Sequence, residues 1–256
     1  MGGKYFLAKD ISRVIKESVS DKKITEYLEP FCGALSVLTH MNEDYNCVAS
    51  DYHPDLIQLW KEVQDGTFQM PKFMNEQEYL RIKELESPSA LKAFAGFGLS
   101  FGGKFFSGYA NKYKNDKKED FLQEAINSLT RKHSKIQKVE FICKEYDKWN
   151  PVNKIIYCDP PYQITKNPIK YRIDTKHYDE FDNTHFWEVM RKWSNKNYVF
   201  ISETHAPEDF VPIWHKESYR SASQSKKTRF KNESENFTVE KLFVHKDSIS
   251  RLNLKK

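Results

Sequence analysis

Cysteine is scarce in this chain and never paired in sequence. The four are Cys32, Cys47, Cys143 and Cys158; no two form a CxxC, and no histidine stands at zinc-site spacing from them. That excludes a zinc ribbon and a disulfide framework of the small secreted kind. Each cysteine sits in an apolar stretch that reads as a strand or its end, so all four are expected to be buried, reduced thiols. A reducing, cytoplasmic setting follows. No apolar run approaches the about 18 residues that a membrane helix needs, and no apolar signal-peptide core lies near Met1. Met1-Gly2 opens like a myristoylation signal, but Phe6 stands where that signal needs Ser or Thr. His177, His185, His205 and His215 fall in different elements and form no ligand set. There is no internal repeat.

Charge and aromatic rings are what the chain has in quantity. Of 256 residues, 30% are charged and 14% aromatic, beside 39% hydrophobic. A disordered chain is poor in aromatics, so the composition points to a folded protein with a heavily solvated surface. The length suits one full domain, or one domain carrying a sizeable insertion. A formal net charge of +5 permits a polyanionic partner without requiring one.

Apolar residues Ile11, Val14, Ile15 and Val19 predict a helix over 8–19. Residues 24–31 (ITEYLEPF) read as a short strand stopped by Pro30, then a turn at Gly33 and a short helix into His40. NCVASD (46–51) reads as a second strand, and Pro54 starts a helix over PDLIQLWKEV. This β-α-β-α order is the grammar of a parallel sheet covered by helices. It stops over 66–137, where EQEYLRIKELE, SALKAFAGF and EDFLQEAINSLTRKHSKI read as helices around the loop LSFGGKFFSGYANKYKNDKK. Strands resume with VEFICKEY (139–146) and KIIYCD (154–159). A helix around HFWEVMRKW, a strand YVFISE (198–203), a polar basic stretch and a strand-like EKLFVHKD follow. The chain thus reads as one α/β domain, 1–65 and 138–256, split by a mainly helical insertion, 66–137.

The sharpest motif is Asp159-Pro160-Pro161-Tyr162, directly after the apolar run Ile155–Cys158. Ligands of open α/β sheets bind at such strand ends. The motif suits an aromatic amine, whose nitrogen lone pair is delocalised into its ring. A carboxylate and the next backbone carbonyl, accepting from the two amine hydrogens, would favour a more tetrahedral nitrogen and free the lone pair. Two prolines stiffen the turn, and Tyr162 offers a flat face for a base. A second site lies at EPFCGALS, the first strand-to-helix turn, where Gly33 lets backbone approach a ligand. Asp51, ending the next strand, stands where an acid commonly bonds ribose hydroxyls.

The set Gly3-Lys4-Tyr5, EPFCGALSV, Asp51 in ASDYHPDLIQLW, and DPPY resembles the Dam-type (D12 class) DNA adenine-N6 methyltransferases. The loop SFGGKFFSGYA is similar to a loop in their phage-borne members. The resemblance implies a Rossmann-like class I methyltransferase sheet, mostly parallel, with about seven strands, helices on both faces and an antiparallel terminal hairpin that includes EKLFVHKD. It implies S-adenosyl-L-methionine as cofactor, and double-stranded DNA with its target adenine flipped out as partner. It implies that Asp159, Pro160 and Tyr162 hold the target adenine, with Asp159 also beside the cofactor. Lys4 and Tyr5 would lie next to both. Phe31 and Gly33 would form the wall under the cofactor, Asp51 would hold its ribose, and Tyr146 or Asp147 would flank its adenine. The inserted region would read the target. One position departs from the family: a further glycine usually stands where this chain has Leu35, so either the turn shifts or cofactor affinity falls.

Two stretches suit phosphate. Loop 99–114 interleaves Lys104, Lys112 and Lys114 with Phe101, Phe105, Phe106, Tyr109 and Tyr113; some of these rings are expected in the core. KESYRSASQSKKTRFK (216–231) carries Arg220, Lys226, Lys227 and Arg229 in a Ser-rich segment without apolar periodicity, which reads as a mobile loop. Solvated lysines are the plain alternative for both. Three other activities remain in view. Cytosine-N4 methylation needs similar geometry, though many such enzymes have Ser where Asp159 stands. Protein-glutamine methyltransferases usually have Asn there. A non-catalytic DNA-binding relative has only Leu35 in its favour.

Overall fold

The computed structural model describes residues 4–111, 113–114, 117–118, 120–161, 171–172, 178–179, 181–219 and 237–254. Seven strands form one sheet: β1 (Glu26–Glu29), β2 (Asn46–Asp51), β3 (Glu140–Cys143), β4 (Ile155–Cys158), β5 (Tyr198–Glu203), β6 (Phe210–Tyr219) and β7 (Phe237–His245). Their order is β6-β7-β5-β4-β1-β2-β3. β1 is parallel to β2 and β4, β2 to β3, and β4 to β5. Only β7 runs against its neighbours, pairing antiparallel with β5 and β6. This is the mostly parallel sheet with an antiparallel terminal hairpin that the resemblance implied.

Period-2 alternation divides the core between the two faces. Tyr27, Ala49, Tyr157 and Phe200 pack on one side with α1 (Ala8–Ser18) and α2 (Pro54–Asp65). Leu28, Ile156, Cys158, Val199 and Ile201 pack on the other with Phe186, Met190 and Trp193 of α6 (Asn183–Ser194). β4 is buried at every residue, as a central parallel strand covered on both faces must be. α2 begins at Pro54, whose fixed φ suits a first helical turn, and ends at Gly66 in the left-handed region. Among the described residues no helix is long and apolar enough to cross a membrane.

Between α2 and β3 lie α3 (Glu76–Lys83), α4 (Ala90–Ala93) running into a π turn, and α5 (Phe121–His133). No described residue there joins the seven-stranded sheet. Asn75 and Asp120 cap α3 and α5 by accepting from the Glu78 and Gln123 amides. α4 is tied to α2 by Asp55, which accepts from the Ser89 amide at 2.7 Å and the Ser87 hydroxyl at 3.0 Å. Leu99–Ala110 forms a closed loop: Ala110 N–H donates to the Leu99 carbonyl (2.8 Å) and Phe101 N–H to that of Gly108 (3.1 Å). Its rings divide as expected, with Phe106 buried and Phe101 at the tip exposed. Gly96 lies under these rings: a Cβ would stand 2.5–2.7 Å from the Phe105 and Phe106 rings, so they would have to shift to admit one.

Three local expectations are corrected. Cys143 is exposed while the other three cysteines are buried; it ends β3, the edge strand, which has a neighbour on one side only. β3 also stops there, and Tyr146 lies in a 3-10 turn, Tyr146–Lys148, rather than in a strand. Finally, Lys216–Tyr219 belongs to β6, paired with Phe237–Glu240, instead of opening a loop. An edge strand with one solvated side and a bulge between Pro212 and Trp214 carries little alternation to read.

Candidate active site

In a parallel sheet the carboxyl ends of adjacent strands share one edge, and here three acids gather on it. β1 ends in Glu29, β2 in Asp51, and β4 runs straight into Asp159. The turn after β1 is held from several sides. Cys32 N–H donates to the Ser50 carbonyl at 2.9 Å. The Gly33 residue is pinned at both ends: its N–H donates to Asp51 Oδ2 (3.3 Å), and its carbonyl accepts from the indole N–H of Trp60 (2.9 Å). Gly33 has φ +42°, and a Cβ built on it meets nothing nearer than the Phe31 carbonyl at 4.0 Å. Among the described residues, chain neighbours aside, no other atom comes within 4 Å of that position.

Leu35 adopts φ +57°, the left-handed conformation that a glycine takes without penalty. An L side chain there costs roughly 1–2 kcal/mol. The side chain is fully buried in the core. The isobutyl group therefore lies in the core rather than over Gly33.

Asp51 is 9% exposed. Its two oxygens accept from the Gly33 and His53 amides, the latter at 3.1 Å. Burial pushes its carboxyl up to about 6 against the pull of those amides. Phe31 packs against Tyr146, with ring centroids 5.1 Å apart, and both rings meet Phe181 and Phe186. Beside this wall, Asp147 Oδ1 is buried with no hydrogen-bond partner among the described residues. A strand-end acid, an aromatic wall and an unmatched acceptor beside a glycine turn are groups that suit a nucleoside carrying an amino group.

On the Asp159 side, Lys4 Nζ lies 2.8 Å from Asp159 Oδ1 and 3.5 Å from Glu240 Oε1. Burial alone would depress the Lys4 ammonium; the charges of Asp159 and Glu240 outweigh it and raise its pKa. Glu29 is buried nearby and accepts from the Tyr27 hydroxyl at 2.6 Å. Its carboxyl is pushed up to about 8, first by burial, with Asp159 adding to the rise. Pro160 is buried under the turn.

Thus Lys4, Phe31, Gly33, Asp51, Tyr146, Asp147, Asp159 and Pro160 all lie on elements meeting at the carboxyl edge. Tyr5 is 62% exposed and packs edge-on against Phe6. Lys104 is exposed on the closed loop. Tyr162, Lys112, Arg220, Lys226, Lys227 and Arg229 lie outside the described residues, as does the side chain of Lys114. Sequence reasoning missed Glu240 and Trp60. Glu240 carried no motif, and Trp60 looked like one more apolar residue of α2.

The sheet order, with reversal at β7 alone and a glycine turn, a strand-end acid and a DPP turn on one edge, defines a Rossmann-like methyltransferase. More narrowly, the chain belongs to the D12 class N6 adenine-specific DNA methyltransferase family, whose model matches residues 1–96 and 90–239. It is similar to the DNA adenine methylase of Vibrio cholerae, 27% identical over 184 residues, covering 63% of this chain and 62% of that protein. It is also similar to the retron Ec67 DNA adenine methylase of Escherichia coli, 27% identical over 198 residues, covering 68% and 66% respectively. The chain therefore spans 62% of the length of the first of these relatives. Among solved structures, the rRNA methyltransferase AviRa of Streptomyces viridochromogenes overlays 97% of this chain and 87% of its own, at 10% identity and a TM-score of 0.43.

Proposed function

We propose that this chain transfers the methyl group of S-adenosyl-L-methionine to N6 of adenine in double-stranded DNA, with the target base flipped out of the helix. One observation carries the reading: the Asp159 carboxylate is fixed by Lys4 at a strand end, on the edge that also bears the Gly33 turn and Asp51. Asp159 and the Pro160 carbonyl accept from the two amine hydrogens, raising electron density on nitrogen as positive charge develops there. Tyr162 stacks on the base. Gly33 and Phe31 form the floor for the cofactor, Asp51 holds its ribose hydroxyls, and Tyr146 with Asp147 flanks its adenine, Asp147 Oδ1 accepting from the amino group. The cofactor supplies a methyl group activated on a sulfonium.

Residues 1–65 and 138–256 make up the catalytic part, and 66–137 the target-recognition insertion. Phosphate contacts come from Lys104, Lys112 and Lys114 and from Arg220, Lys226, Lys227 and Arg229. The loop SFGGKFFSGYA supports placement among phage-borne members. Modification-sensitive sequencing of DNA from cells expressing the protein, with nucleoside analysis of that DNA, tests the reading: N6-methyladenine at a defined motif is expected. N4-methylcytosine, or no modification, would overturn it.

Two further results are expected. Asp51→Ala should weaken cofactor affinity by ~1.5–3 kcal/mol, the worth of a hydrogen bond to a charged group. Calorimetric titration checks this, and unchanged affinity would remove Asp51 from the site. Replacing Lys226, Lys227 and Arg229 together should weaken binding to all DNA sequences and flatten the dependence of log affinity on log salt. An unaltered slope would leave that segment merely solvated.

A further inference from the structure

We infer that Glu240 is a positioning residue for the reaction, acting through Lys4 to orient the Asp159 carboxylate while leaving the three-residue cluster net negative. The inference rests on the methyltransferase reading above. It starts from topology. β7 is antiparallel, so its early residues lie at the edge where the parallel strands end. Lys241 pairs with Glu203, the last residue of β5, which places Glu240 one step further out on the same edge. On its other side it pairs with Lys216 of β6. Glu240 is thus held on a strand bonded to both neighbours, whereas Asp159 sits on a turn.

Lys4 joins the two. Its backbone carbonyl accepts from the Leu7 and Ala8 amides, anchoring it to the start of α1. Its ammonium, on a side chain only 11% exposed, reaches Asp159 Oδ1 at 2.8 Å and Glu240 Oε1 at 3.5 Å. A lysine is a point charge on a flexible four-carbon stem and sets no direction by itself. A second carboxylate, 7% exposed and on a paired strand, confines it. Asp159 Oδ1 is then committed to Lys4, and Oδ2 is left for the amine.

Charge gives the same answer. A lone lysine against Asp159 would cancel the negative charge that the amine requires. Shared between two carboxylates, it leaves the cluster net negative while still fixing one oxygen. The raised Lys4 pKa, which survives burial because both acids face it, fits this sharing.

The test compares Glu240→Gln, Glu240→Asp, Lys4→Met and the Lys4→Met/Glu240→Gln double variant in the full chain. Single-turnover methyl transfer is measured with labelled cofactor, S-adenosylhomocysteine binding by calorimetry, and folding by thermal melts. Glu240→Gln is expected to slow the transfer step about 10- to 100-fold, the scale set by small misplacements of a reacting group. Product affinity should stay unchanged, and Glu240→Asp should recover part of the rate. The double variant should be no slower than Lys4→Met, since Glu240 acts through the lysine. A merely structural role would lower affinity and melting temperature together with the rate, and its effect would add to that of Lys4→Met; either pattern overturns the inference, as does a wild-type rate in Glu240→Gln. A wild-type chain that methylates no DNA adenine would overturn the functional reading itself, and this role with it.

Discussion

Asp159→Ala is expected to reduce methyl transfer about 100- to 1,000-fold, the ~2.7–4 kcal/mol that one preorganised polar group contributes at a barrier. On the proposed reading the deleted carboxylate faces the reacting amine, while the turn after β1 is held independently by Asp51, Ser50 and Trp60. Cofactor affinity should therefore survive. Lys4 keeps Glu240 as a partner in this variant, so the ammonium is not stranded and the melting temperature should fall only modestly. Asp159→Asn retains an acceptor oxygen without the charge and should fall between wild type and alanine. Single-turnover rates beside thermal melts check the order. Wild-type turnover in Asp159→Ala would remove the mechanism.

The second large effect is on stability and follows from Glu29. Its carboxyl is pushed from 4.5 to about 8, chiefly by burial, opposed by the Tyr27 hydroxyl and reinforced by Asp159. The native state thus holds a proton that the unfolded chain has already released, and between those values stability falls as pH rises. Asp51, raised to about 6, adds to the fall at lower pH. His53 works the other way. Burial depresses its pKa from 6.5 to about 4, so its contribution is lost as pH drops through that interval. From pH 6.5 to 8 the decline therefore belongs to Glu29 among these three. Glu29→Gln, which keeps an acceptor for Tyr27, should flatten it and leave the ligand-free protein more stable than wild type above pH 8. Melting temperatures across that range measure it; parallel curves for the two proteins would show that Glu29 is ionised in the native state.

The central strands were legible in the sequence because burial on both faces leaves an uninterrupted apolar mark, as in Ile155–Cys158. Edges were not. β6 has one solvated side and Pro212, and β3 ends earlier than its apolar run suggests. Within the site, Asp51 and Asp159 were readable because each ends a strand next to a recognisable turn. Glu240 was unreadable: the antiparallel direction of its segment came with the resemblance, but nothing local to VEKL records that this residue meets Lys4, far away in the chain. Trp60 was half-readable. Its apolar bulk fits the buried face of α2, but its indole N–H finds the Gly33 carbonyl only after folding. Leu35 shows the converse, since residue type alone could not tell which way a left-handed residue sends its side chain.

The lysine between Asp159 and Glu240 brings together a residue before α1, one after β4 and one on β7, the last strand of the sheet. Contacts of such sequence separation are the costliest to close and come late. During synthesis the early strands and the glycine turn can settle while β7 is still unmade. On the proposed reading, a nascent or truncated chain would present the glycine turn without the lysine-held carboxylate, and chemical competence would arrive with the last strand, making activity a report that the whole sheet is complete.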